Sequence, residues 1–75
     1  MVKLTSLVVE SVNDNGVRNV IVSLVADTPE DVNPCGASGK NITGLRDTDN
    51  IVLGSTALCA DGSFGMINSN GVWNW

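Results

Sequence analysis

Three groups of residues have types and spacings that could do chemistry. Asp47-Thr48-Asp49-Asn50 resembles the opening of a calcium loop. Such a loop needs Gly at its sixth position and Glu at its twelfth, and those places hold Val52 and Leu58. The ligand pattern fails, and the stretch reads as a solvated loop. Cys35 and Cys59 could form a disulfide, supply a nucleophilic thiol or fill the core. A thiol nucleophile needs a neighbouring base, and the chain has no histidine. Cys59 stands in an apolar strand, where free Cys behaves as a small hydrophobe, whereas Cys35 stands in a loop. Trp73 and Trp75 alternate with Asn74, which puts both rings on one face of a strand. A tryptophan pair can stack on a sugar, cap a small core or fill a partner's pocket. The last two are favoured, because so short a chain needs that apolar area. No metal, cofactor or catalytic set follows from these residues. Asn41-Ile42-Thr43 is a glycosylation sequon, which matters only in a secreted chain.

The elements that must position these residues read mostly as strands. Leu4 to Val12 is rich in Val, Leu and Thr, but its alternation is imperfect: Leu4, Ser6, Val8 and Glu10 would share one face, Thr5, Leu7, Val9 and Ser11 the other. Asn13-Asp14-Asn15-Gly16 is a turn, since Asn and Gly tolerate positive φ. Val17 to Ala26 is a second strand, with Val20, Val22 and Leu24 on one face and Asn19, Ile21, Ser23 and Val25 on the other. The two predict a long N-terminal antiparallel hairpin.

The middle is irregular. Thr28-Pro29-Glu30-Asp31 can open one helical turn, with Thr28 as N-cap and Pro29 at the first helical position, and Pro34 forbids its continuation. A long central loop follows, anchored by Ile42 and Leu45, then a short apolar run at Ile51-Val52-Leu53. The end predicts a three-stranded meander: Ser55 to Ala60, Phe64 to Asn68 and Val72 to Trp75, joined by turns at Asp61-Gly62-Ser63 and Ser69-Asn70-Gly71. There is no internal repeat and no linker. The expectation is a single all-β domain over residues 1–75, built as a small antiparallel β-sandwich or open barrel.

Composition narrows the function classes. A chain of 75 residues buries only about 60% of the surface its unfolded form exposes. Its core supplies roughly 3–5 kcal/mol, so a partner or self-association is the expected supplement. Net charge is −4, and Lys3, Arg18, Lys40 and Arg46 are scattered, which argues against nucleic acid. The longest apolar run, Val20 to Val25, is too short to span a membrane as a helix. Met1-Val2-Lys3 opens a strand rather than a secretory signal, so synthesis in the cytoplasm with reduced cysteines is expected. Only 16% of residues are charged, which suits a surface partly covered by neighbours.

Three pieces carry a family resemblance. They are Val25-Ala26-Asp27-Thr28-Pro29 with Val32-Asn33-Pro34-Cys35-Gly36, then Gly44-Leu45 with Asp49-Asn50, then Gly54-Ser55-Thr56-Ala57-Leu58 with Phe64-Gly65-Met66-Ile67-Asn68-Ser69-Asn70-Gly71-Val72-Trp73. Their order is similar to small proteins from the structural gene blocks of tailed bacteriophages and prophages, which often end in Gly-Ser … Met-Leu-Asn-Ser-x-Gly-x-Trp. That family commonly carries Tyr where Phe64 or Gly65 stands here. The resemblance implies a non-enzymatic structural protein of the virion, foremost a capsid decoration protein contacting the major capsid protein and sister copies in an oligomeric array. A tail, baseplate or fibre-associated subunit is the near alternative, and a carbohydrate-binding module using the two tryptophans a further one. The residues expected at the interaction surface are Trp73, Trp75, Phe64, Ile42 and Leu45.

Overall fold

Two turns of one design frame the chain. The Asn13 side-chain oxygen accepts the N–H groups of Asn15 and Val17 at 2.9 and 3.0 Å. The Asn68 oxygen accepts those of Asn70 and Val72 at the same distances. Each loop closes with a left-handed Gly, Gly16 at φ 81° and Gly71 at φ 77°, a conformation any Cβ would strain. Asn-x-Asn-Gly-Val is thus used twice to reverse a strand.

The computed structural model describes all residues from Met1 to Trp75. They form six strands: β1 (Val2–Val12), β2 (Arg18–Ala26), β3 (Asn50–Ile51), β4 (Thr56–Cys59), β5 (Phe64–Ile67) and β6 (Trp73–Asn74). One helical turn, α1 (Pro29–Val32), runs into a 3₁₀ turn at Asn33–Cys35. Thr28 occupies the N-cap of α1, but its side chain makes no capping bond. The fold is all-β apart from these turns.

The expected hairpin is present, with β1 antiparallel to β2. Two register shifts, at Thr5 and Glu10, explain the imperfect alternation of β1. The extra residue at Thr5 returns Leu7 to the same side as Leu4. Leu4 then pairs with Leu24 and Leu7 with Val22, while Ser6 and Val8 pair with Ser23 and Ile21 on the opposite face. The Thr5 hydroxyl donates to the Ser23 carbonyl at 3.0 Å and ties down the bulge.

The C-terminal meander β4-β5-β6 is antiparallel as expected. Its junction with the hairpin differs from expectation. Both β3 and β4 run parallel to β2 and lie end to end along one of its edges. The sheet is therefore single, open and mixed, in the order β1-β2-β4-β5-β6. The reason is the segment 27–49, which crosses one face of the sheet so that the chain re-enters in the direction of β2. Where β3 ends and β4 begins, the Ser55 hydroxyl, fully buried, accepts the Val22 N–H at 3.0 Å and supplies the missing ladder bond.

The crossing segment is the second layer. Val32 and Ile42 pack from it onto Val20, Val22, Leu24, Ala57, Ile67 and Trp73, with Cys35, Ala37 and Leu45 at the margin. An ion pair holds it. Arg18 on β2 grips Asp49 with both ends of its guanidinium, Nε to Oδ1 at 2.8 Å and Nη2 to Oδ2. Asp49 also accepts the Arg46 N–H at 2.9 Å and has no exposed side-chain surface. Those hydrogen bonds, Arg18's foremost, hold its carboxyl below the ordinary carboxylate range, although burial pulls the other way.

Candidate interaction surface

Cross-strand pairing assigns each side chain of the sheet to a face. The face under the crossing segment carries Leu4, Leu24, Ala57 and Gly65 in one row. The opposite face has no layer over it. One row across it is Lys3, Val25, Leu58 and Phe64, and the next is Ser6, Ser23, Thr56, Met66 and Asn74. Val8 and Ile21 form a third. Leu58, Phe64 and Met66 are 52%, 53% and 58% exposed, and Val8 is 59% exposed.

Short strands with apolar residues on both sides create this arrangement. In β4, Ala57 and Cys59 point into the core while Leu58 points out; in β5, Gly65 and Ile67 point in while Phe64 and Met66 point out. Two shallow grooves flank the Leu58–Phe64–Met66 ridge. One of about 540 Å³ is lined by Met1, Lys3, Val25, Asp27, Leu58 and Ala60. The other, of about 390 Å³, is lined by Leu53, Gly54, Met66 and Asn74.

The five residues expected at the interaction surface are split among different environments. Ile42 and Trp73 are 2% and 5% exposed, inside the core, and present nothing to a partner. Leu45 is half-buried against the same core. Trp75 stacks on Trp73, with ring centroids 6.2 Å apart and planes at 28°. Both indoles spend their N–H groups on the crossing segment, Trp73 on the Gly36 carbonyl at 2.9 Å and Trp75 on the Asn33 side chain at 2.7 Å. The pair is a clasp closing the sheet's far end over the loop, rather than a platform set out for a sugar. Only Phe64 stands on the open face. Leu58 and Met66 are the surface residues the sequence reading missed; their signal was the lack of polar alternation in Thr56–Cys59 and Phe64–Ile67.

The remaining groups do not gather into a chemical centre. No three residues among Cys, Asp and Glu come together in a way that could hold a metal ion. Cys35 and Cys59 are both free thiols. Burial pushes the Cys59 thiol up, with nearby carboxylates adding to the shift, and pushes Cys35 up with help from Asp31. A thiol so held is protonated at neutral pH and a poor nucleophile.

No family model matches the chain, and neither a curated protein nor a solved structure does.

Proposed function

We propose that this chain is a non-enzymatic structural subunit that works by docking, and that its setting is the virion of a tailed bacteriophage, foremost as a decoration protein on the capsid shell. The observation that carries the docking role is the open apolar face around Leu58, Phe64 and Met66. The largest apolar patch of a small domain is often its interaction site, and this face is the one the fold leaves open. The setting rests on the resemblance of the Gly54–Trp73 stretch to phage structural proteins. Many weak contacts of this kind, repeated by the symmetry of a shell, add to a firm attachment. The partners in this reading are the major capsid protein or other virion proteins, and the chain is made in the host cytoplasm.

Quantitative mass spectrometry of purified particles tests the setting. Shell decoration requires copies on the order of hundreds per particle, as icosahedral repetition supplies. Copies in the tens place the chain at the tail or baseplate, and none removes it from the virion.

A further inference from the structure

We infer that the open face takes a second copy of this chain, giving a twofold dimer in which two sheets pack face to face with the crossing segments outermost. The inference rests on reading the open face as a docking surface, and it is independent of the particle.

Charge is the first argument. The chain carries −4, so two copies repel unless their acidic groups are kept apart. No Asp or Glu lies in the three rows across the open face, whose only charged side chain is Lys3 at one margin. Five of the eight acidic residues, Asp27, Glu30, Asp31, Asp47 and Asp49, belong to the crossing segment, with Asp27 at the rim of the groove beside Leu58. The rows that would meet at the centre of the contact are thus free of acidic groups, which stay at its margins. A nucleic acid or an anionic bilayer would need the reverse, a cluster of cations.

Area is the second. Leu58, Phe64 and Met66 on the ridge, with Val8 beyond the polar row of Ser6, Ser23 and Thr56, are each more than half exposed and add up to roughly 400 Å² of apolar surface across the face. At about 60% apolar, an interface with that content covers about 700 Å² per partner, close to the ~800 Å² of a standard stable interface. Shape is the third. A ridge flanked by two grooves, with Leu58 walling one and Met66 the other, can receive its own image under a twofold axis, as an isologous interface requires. Face-to-face packing at about 10 Å then gives β4 and β5 the two-sided burial their sequences specify. The sandwich anticipated from the strand pattern would be completed between chains.

The test is the mass in solution of the purified full chain by light scattering, over a range of concentrations. The expected result is twice the 7.8 kDa of one chain at tens of micromolar. Phe64→Lys and Met66→Lys each place an ammonium in the apolar centre and should weaken the dimer about a hundredfold or more. Both side chains are exposed in the single copy, so circular dichroism should be unchanged. Val12→Lys, at the tip of the hairpin away from the ridge, should leave the dimer intact. A wild-type chain that stays monomeric up to about millimolar concentration overturns the inference, as does a dimer indifferent to both ridge variants. If the wild type is monomeric while Phe64→Lys removes the chain from particles, the face meets a shell protein: the inference fails and the proposed function stands. If the dimer forms and the particles lack the chain, the inference stands and the virion setting fails.

Discussion

The indole of Trp75 rests on the bare backbone of Gly65, so closely that a Cβ built there would lie 2.6 Å from the ring. Gly65 has no positive φ, so its role is one of space alone. The contact seats Trp75 against Trp73 and aims its N–H at Asn33. Through it the last residue of the chain locks the meander to the crossing segment. Gly65→Ala should therefore lift the indole, with an overpacking cost of about 1–3 kcal/mol. Tryptophan fluorescence should shift to the red and the melting temperature should fall. An unchanged spectrum would mean that the clasp is not held by this contact.

Trp73 is the larger investment. It is 5% exposed, pairs with Ile67 across β5–β6 and donates to the Gly36 carbonyl. Trp73→Ala should cost about 3–5 kcal/mol, comparable with the whole stability expected of so small a core. The variant should show little cooperative unfolding in a denaturant titration. Trp75→Ala, at a residue 41% exposed, should cost distinctly less. Equal costs would contradict the burial difference between the two rings.

Arg18 and Asp49 tie the crossing segment to β2, and their removal has a pH signature. The folded carboxyl of Asp49 titrates below its unfolded value because Arg18 stabilises the charged form. Its contribution to stability is thus present above about pH 4, the ordinary carboxylate value, and is lost as pH falls through the lower folded value. Wild-type melting temperature should fall across that acid window. Arg18→Gln leaves a buried carboxylate without its cation, so at pH 7 it should melt about 10 °C or more lower. On acidification the gap to wild type should narrow. A gap that is constant with pH would show that the pair is not what holds the segment.

The two thiols should react in order. Cys35 is half-buried and Cys59 lies in the core at 4% exposure. Under native conditions an alkylating reagent should label Cys35 slowly and Cys59 only on unfolding. Labelling of Cys59 as fast as Cys35 would indicate that β4 opens locally.

What the sequence made legible was local. Asn13 to Val17 and Asn68 to Val72 spell out their own turns, and the hairpin and the meander followed from them. The inward set Val20, Val22 and Leu24 was readable from alternation, and the single helical turn after Thr28 from Pro29 and Pro34. The parallel pairing of β2 with β4 was not readable. It depends on where the segment 27–49 crosses, and that is fixed by contacts distant in sequence, such as Arg18 with Asp49 and Trp73 with Gly36. The faces of β1 were hidden by bulges at Thr5 and Glu10, which alternation alone cannot locate. For the same reason the surface was only partly legible. Ile42 and Trp73 are large and apolar wherever they sit, and only the crossing of the loop decides that they are core. Leu58 and Met66 stand in apolar runs that alternation assigns to neither face, and only the absence of a layer above them makes them surface.

The central claim is that the open face of the sheet is the docking surface of a structural subunit. Its most direct test is the occupancy of Phe64→Lys on purified particles, measured by mass spectrometry with the variant supplied in place of the wild-type chain. The account predicts a folded variant whose occupancy falls about tenfold or more, while wild type decorates the particle at high copy number. A Phe64→Lys chain that incorporates as fully as wild type would contradict it.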